Sequence, residues 1–257
     1  MASFTDQDKA VINIEGERRQ REINNFIIKT AHIVTIQSKE NLSKDQSILL
    51  IQENDVEFLH NLGSQVWNKR YPQLRRQLNT IKEISDNQIT LTKPVPAELM
   101  NSKAKLYSIE TVKNVTIKNL TVEYTISHKS ISDYHYIYSN PLPNHAVDLI
   151  RLNWTNNIQL EELQLNNAGK HSVSIENSFD CQLSDLNIDG AWNKGKTGFG
   201  YLKISKSHYC NLKRLSVRNI RHIAIQWGSS FNTIDNLYTE VDINFHGGYS
   251  NNNTVSN

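Results

Sequence analysis

NIQLEELQL (157–165) is followed 23 residues later by DCQLSDLNI (180–188), and 29 after that by YCNLKRLSV (209–217). Each has apolar residues at its fourth, seventh and ninth positions. The frame extends outward to NVTIKNLTV (114–122), FNTIDNLYT (231–239) and NNTVSN (252–257), so successive segments are 43, 23, 29, 22 and 21 residues apart. Stacked in register, they form columns. One column reads Ile117, Leu160, Leu183, Leu212, Ile234, Val255, and the next reads Leu120, Leu163, Leu186, Leu215, Leu237. A third reads Val122, Leu165, Ile188, Val217, Thr239.

Between these segments lies a second series of short stretches with period-two alternation, the signal of a half-buried strand. They are DLIRLN (148–153), SVSIEN (172–177), YLKISK (201–206), HIAIQW (222–227) and DINFHG (242–247). Their expected inward pairs are Ile150/Leu152, Val173/Ile175, Leu202/Ile204, Ile223/Ile225 and Ile243/Phe245. Short strands at this spacing, with no helical pattern between them, cannot bury a face singly. Stacked about 4.8 Å apart they bury one continuous core. The fold expected is all-β, a right-handed single-stranded parallel β-helix, or solenoid. A leucine-rich repeat has a similar length, but its fixed Leu-x-x-Leu-x-Leu-x-x-Asn frame is not met, because the asparagine drifts and two strands occur per repeat. Cys181 and Cys210 share a column with Asn232 and Asn253, which suits small packed thiols and an asparagine ladder. A disulfide between neighbouring coils is geometrically allowed and not implied.

Residues 108–257 are the regular coils in this reading, and 1–107 form an N-terminal cap, early coils and a strand insertion. VINIEGERRQ and FIIKTAHIVTIQS read as early coils or their cap. SILLIQENDVEFL, RRQLNTIKEI and NQITLTKPVP read as strands with Asn and Asp turns, a small antiparallel insertion.

The 257 residues are 38% hydrophobic and 21% charged, with a net charge of +2. That balance gives no reason to expect a nucleic-acid partner. The basic runs at Arg18, Arg19 and Arg21, and at Lys69, Arg70, Arg75 and Arg76, lack regular aromatic interleaving and are assigned to solvated faces. No stretch of about 18 apolar residues occurs, so no membrane-spanning helix is expected. The N-terminus lacks the basic start and apolar core of a signal peptide, although an extracellular or exported setting is expected. Two cysteines make no disulfide framework, and the histidines match no metal-ligand spacing, so neither metal nor cofactor is expected. The chain stops at Asn257 in mid-coil. The expectation is a missing C-terminal region, or a second copy, covering the open end.

Outward positions of the second series also stack. One column is Leu149, Ser172, Tyr201, His222, Asp242. Another is Arg151, Ser174, Lys203, Ala224, Asn244, and a third is Asn153, Glu176, Ser205, Gln226, His246. An exposed sheet bearing Glu176, Tyr201, Lys203, His222, Gln226, Asp242 and His246 follows. Two loops overhang it: 125–145, with Tyr134, Tyr136 and Tyr138, and 190–201, with Trp192 and Phe199. Long loops on a rigid scaffold carry binding residues, and aromatic rings offer faces on which sugars stack. Glu240 and Asp242, two apart, would share one side of an extended strand about 6.5–7 Å apart. Paired carboxyl groups about 5–9.5 Å apart serve glycoside hydrolysis. A lyase instead needs a base and cationic neutralisation of a uronate, for which Lys203, Arg221, His222 and Tyr201 are available.

The run LLIQENDVEFLHNLGSQVWNKRYPQLRRQLNTIKEISDNQITLTKPVP (49–96), followed by SIETVKNVTIKNLTVEY (108–124), resembles the N-terminal half of the pectate-lyase-like β-helix superfamily. Polysaccharide lyases, glycoside hydrolases and phage tailspike depolymerases belong there. The resemblance covers most of the chain as a pattern and implies binding, and cleavage, of an acidic polysaccharide. Iota-carrageenases are similar in carrying a Glu-x-Asp pair on a coil. The polygalacturonase pattern departs: only Phe245-His246-Gly247-Gly248 echoes its Gly-His-Gly, and Gln226-Trp227-Gly228 stands where paired aspartates belong. The expected catalytic residues are therefore Glu240 and Asp242, with His246 and His222. The expected substrate-binding residues are Glu176, Tyr201, Lys203, Gln226, Trp192 and Tyr136. The alternative is a non-catalytic carbohydrate-binding or structural β-helix, such as an adhesin or tail fibre segment.

Overall fold

The structure is a computed structural model and describes residues 10–17, 20–38, 41–63, 71–101 and 103–257. Arg18, Arg19, Lys69 and Arg70, placed above on solvated faces, lie outside the described residues.

The chain opens with β1 (Ala10–Glu15), then leaves the coil for an antiparallel excursion. That excursion holds β2 (Gln20–Ile23), β3 (Phe26–Ile28), β4 (Ile33–Ile36), β5 (Ser47–Gln52), helix α1 (Val56–Asn61), β6 (Arg75–Ser85), β7 (Gln88–Leu91) and β8 (Lys105–Ile109). The coils then run through β9 (Val112–Glu123), β10 (Asp148–Asn153), β11 (Thr155–Ala168), β12 (Val173–Glu176), β13 (Gln182–Ser184), β14 (Asn187–Ala191) and β15 (Tyr201–Ser205). They continue with β16 (Asn211–Arg218), β17 (His222–Gln226), β18 (Thr233–Thr239), β19 (Ile243–His246) and β20 (Thr254–Ser256).

The coils make a parallel β-helix with two long walls. Wall one is β1-β10-β12-β15-β17-β19, all parallel. Wall two stacks β9, β11, β13 with β14, β16, β18 and β20. The first aliphatic column holds in unbroken register, with Ile117 beside Leu160, then Leu183, Leu212, Ile234 and Val255. Val122, Leu165, Ile188, Val217 and Thr239 are likewise in line. Leu160, Leu183, Leu212 and Ile234 are all but sealed from solvent, and 26 buried residues join one core between the walls. A third, short side is marked by single bridges linking Asn156, Phe179, His208, Ser230 and Asn251. The Cys210 and Asn232 amides donate to the Asn232 and Asn253 side-chain oxygens at 2.9 and 3.0 Å, so the ladder exists, while both thiols are buried and free.

The drifting asparagines mark corners. Asn114, Asn157, Asp180, Tyr209, Phe231 and Asn252 all have φ between 53° and 60°, apart from Asn252 at 51°. Asn119, Glu162, Asp185, Arg214 and Asn236 stack at a second corner with φ of 54–58°. Trp154, Asn177, Lys206 and Trp227 form another, at 47–59°. One left-handed residue turns the chain, and asparagine and aspartate visit that region most cheaply.

The antiparallel excursion is a sheet of seven strands in the order β2-β8-β5-β6-β7-β4-β3. FIIKTAHIVTIQS, expected as early coils or their cap, contributes β3 and β4 to it, paired antiparallel. DVEFL, expected as strand, is α1, because the Asp55 carboxylate accepts from the Phe58 amide and caps a helix start. This inserted sheet docks on the short third side. Leu49, Ile51, Leu78 and Ile109 of the sheet bury Trp154 and Phe179 of the coil. Lys93 pairs with Asp180 at 2.9 Å, and Gln77 donates to the Tyr209 hydroxyl at 2.6 Å. Arg75 and Arg76, placed above on solvated faces, are instead 8% and 9% exposed, Arg75 held within the insertion and Arg76 against Asn177 of the coil. Arg75 bonds Asp55 at 3.0 Å and lies 4.3 Å from the Phe58 ring centroid.

Candidate functional site

Of the first outward column, Leu149 is buried in the core and Ser172 is covered, while register brings Tyr201, His222 and Asp242 together. Tyr201 stands beside His222, and the Ile223 amide donates to the Asp242 carbonyl at 3.0 Å, which sets Asp242 next to His222. The Tyr201 and His222 rings are 5.3 Å apart. His222 Nδ1 meets Asp242 Oδ1 at 2.5 Å, and Arg221 Nε–H donates to His222 Nε2 at 3.0 Å. Since Nε2 accepts, the ring proton sits on Nδ1 and is donated to Asp242. Partial burial would raise the Asp242 carboxyl, but the hydrogen bonds from His222 and then Asn244 outweigh it and hold the group below the usual carboxylate range. Burial raises the Tyr201 hydroxyl, with Arg221 opposing.

Glu240 and Asp242 are not on one extended strand. Residues 240–241 form a bend between β18 and β19, tied by Thr239 Oγ1, which donates to the Val241 carbonyl at 3.0 Å. Glu240 accepts from the Tyr238 hydroxyl at 3.2 Å. Both acids nevertheless open onto one recess of about 390 Å³, with Tyr138, Lys196, Arg221, His222 and Val241. Two residues apart, their Cα atoms are at most about 7 Å from each other.

The overhanging loops are pinned differently from expectation. Trp192 is buried, its indole N–H donates to the Tyr124 carbonyl at 2.8 Å, and its ring meets Tyr134 edge-on at 5.1 Å. It staples the loop and presents no face to a ligand. Buried Lys194 donates to the Tyr134 and His135 carbonyls at 2.9 and 2.6 Å, and burial lowers its ammonium to about 8. Gly200 at φ 78° permits this approach, because a Cβ there would meet Lys194 Cγ at 2.8 Å. Tyr136 is 88% exposed at the loop's surface, and Tyr138 reaches the recess.

The remaining expected residues are spread along wall one: Glu176, Gln226 and His246 lie on three strands at its opposite edge, four positions or about 13 Å from the Tyr201 column, and Lys203 lies between. Glu176 accepts from Lys203 at 3.2 Å and Lys206 at 3.1 Å. Burial alone would raise Glu176, but the two ammonium groups bring it down to about 2. Gln226 is buried, and exposed His246 meets the Trp227 ring at 6.1 Å. The expected sheet is thus neither wholly exposed nor a single site: Tyr201, Gln226, Ser205 and Ala224 are covered. His246, Gln226 and Glu176 do not join Asp242. Sequence reasoning left out Lys196, which a loop delivers, and no periodic signal marks it. Among the described residues, no three or more His, Cys, Asp or Glu cluster as ion ligands.

No family model and no curated protein matches the chain. Solved structures similar to it include the tailspike gp61 of Pseudomonas phage phi297 (TM-score 0.47, 7% identity, 91% of this chain and 46% of that one). Another is the tailspike gp49 of Pseudomonas phage LKA1 (0.42, 9%, 91% and 43%). A third is the Gp54 tailspike of Acinetobacter baumannii bacteriophage AP22, in complex with A. baumannii capsular saccharide (0.38, 9%, 90% and 47%). The chain spans somewhat under half the length of each.

Proposed function

We propose that the chain binds an acidic polysaccharide along wall one and cleaves it at the recess holding His222, Asp242 and Glu240. The observation that carries this reading is the clamped imidazole: His222 is fixed between Asp242 and Arg221, in a recess that also offers a second carboxyl group, Lys196 and the Tyr138 ring. The resemblance to the pectate-lyase-like superfamily points the same way. In a hydrolytic route, Asp242, kept ionised by His222, takes a proton from water as it attacks the anomeric carbon. Glu240 gives its proton to the departing glycosidic oxygen. Arg221 and Lys196 neutralise a uronate carboxylate beside the bond.

One observation favours a second reading, a non-catalytic carbohydrate-binding β-helix: the Asp242 carboxylate is already engaged by His222. Asp242→Asn separates the two. An enzyme loses sugar release by about a hundredfold or more while oligosaccharide affinity is kept. A wild-type chain that releases nothing from a broad panel of acidic glycans is a binder. Ultraviolet absorbance of an unsaturated product would identify elimination in place of hydrolysis.

A further inference from the structure

A second recess, of about 770 Å³, lies where the inserted sheet meets the corner of Trp154, Asn177 and Lys206. Its size is that of a small-molecule site. Its described lining includes Tyr71, Gln73, Arg76, Trp154, Glu176 and Lys206. Arg76 is 9% exposed, and its Nη2 donates to Asn177 Oδ1 at 3.2 Å. Among the described residues its Nε has no hydrogen-bond partner and no carboxylate forms an ion pair with it. Glu176, the carboxylate in the described lining, is held by Lys203 and Lys206. A buried guanidinium with no counter-charge is costly, and burial lowers this one to about 10. An anion entering the recess would relieve that cost and complete the fork of donors. The other walls are not those of a bare phosphate or sulfate site. Tyr71, with Trp227 stacked at 3.7 Å and the Lys206 ammonium 4.9 Å from its ring centroid, borders the recess together with Trp154, and Asn153 and Asn177 supply amides, which together suit a hydroxylated ring.

We propose that this recess binds one carboxylated saccharide residue, its carboxylate on the Arg76 guanidinium and its ring against Tyr71 and Trp154. The site is separate from the His222 recess and does not depend on any cleavage there.

The test is calorimetric titration of the full chain with trisaccharides of glucuronate, galacturonate and mannuronate, with their methyl esters, and with inorganic phosphate. At least one acid form binds, and its methyl ester binds about tenfold or more weakly, the worth of a charge-assisted contact. Arg76→Gln removes the acid-selective binding event assigned to this recess and leaves any at the His222 recess in place. Gln73 lines the recess at partial exposure, so Gln73→Glu adds a negative charge there and decides the matter if Arg76→Gln does not fold. It weakens the acid about tenfold and leaves the ester unchanged. Equal affinity for acid and ester, no affinity for any of the three, or phosphate binding as tightly as the sugar would each overturn the proposal.

Discussion

His208 shows how docking alters a single side chain. It sits on the short third side beneath the inserted sheet, fully buried, with neither ring nitrogen hydrogen-bonded by a side chain among the described residues. Burial first, and Arg76 second, lower it to about 3 from an ordinary 6.5. Between those values the unfolded chain binds the proton and the folded chain does not. This contribution to stability is therefore complete above pH 6.5 and drains away as pH falls toward 3, on the order of 1 kcal/mol per pH unit. Urea unfolding at pH 7 and 4.5 measures it, and His208→Phe, which keeps the ring, should flatten the slope; an unchanged slope would count against the assignment. At this scale the sequence is legible where register decides and opaque where docking does. Tyr201, His222 and Asp242 could be lined up in advance because three strands share one repeat. Arg76 could not, because its burial depends on a sheet more than 70 residues long in sequence folding back onto Asn177.

Among the elements, the overhanging loop 125–145 depends on a charge. Lys194 fastens it through two carbonyls while Trp192 plugs its base. Lys194→Met keeps the stem and strands both carbonyls, at a local cost of roughly 2 kcal/mol. Cleavage by a protease within 128–138 should then accelerate at least about tenfold, with little change in the melting of the coils. A matching fall in global stability would mean that the loop is part of the main cooperative unit. The walls themselves were readable from period-two alternation, since each inward residue has one environment. The corners were misread as a drifting asparagine because several distinct corners, each a single left-handed residue, interleave along the chain. Glu162, Arg214 and Phe231 occupy such positions beside Asn and Asp neighbours, so residue type alone does not reveal them.

For the whole molecule, stability is carried rung by rung. Leu212 lies between Leu183 and Ile234 with no exposed surface, so Leu212→Ala removes a contact from both neighbouring coils. The expected loss is about 2–5 kcal/mol in chemical denaturation, and a loss under about 1 kcal/mol would contradict a continuous core. The columns made this architecture visible from sequence alone; the extent of the inserted sheet was hidden, since antiparallel pairing over long separations leaves no repeat to read. That sheet also departs and returns at one point. The Gly16 amide donates to the Asn153 carbonyl at 2.9 Å, and the Val112 amide donates to the Trp154 carbonyl at 3.1 Å, so β1 and β9 are two sides of one turn of the helix. Everything between them hangs on the solenoid as a cassette with adjoining ends. Exchanging that cassette would keep the register of the coils, uncover Trp154 and Phe179, and remove the Arg76 side of the shared recess.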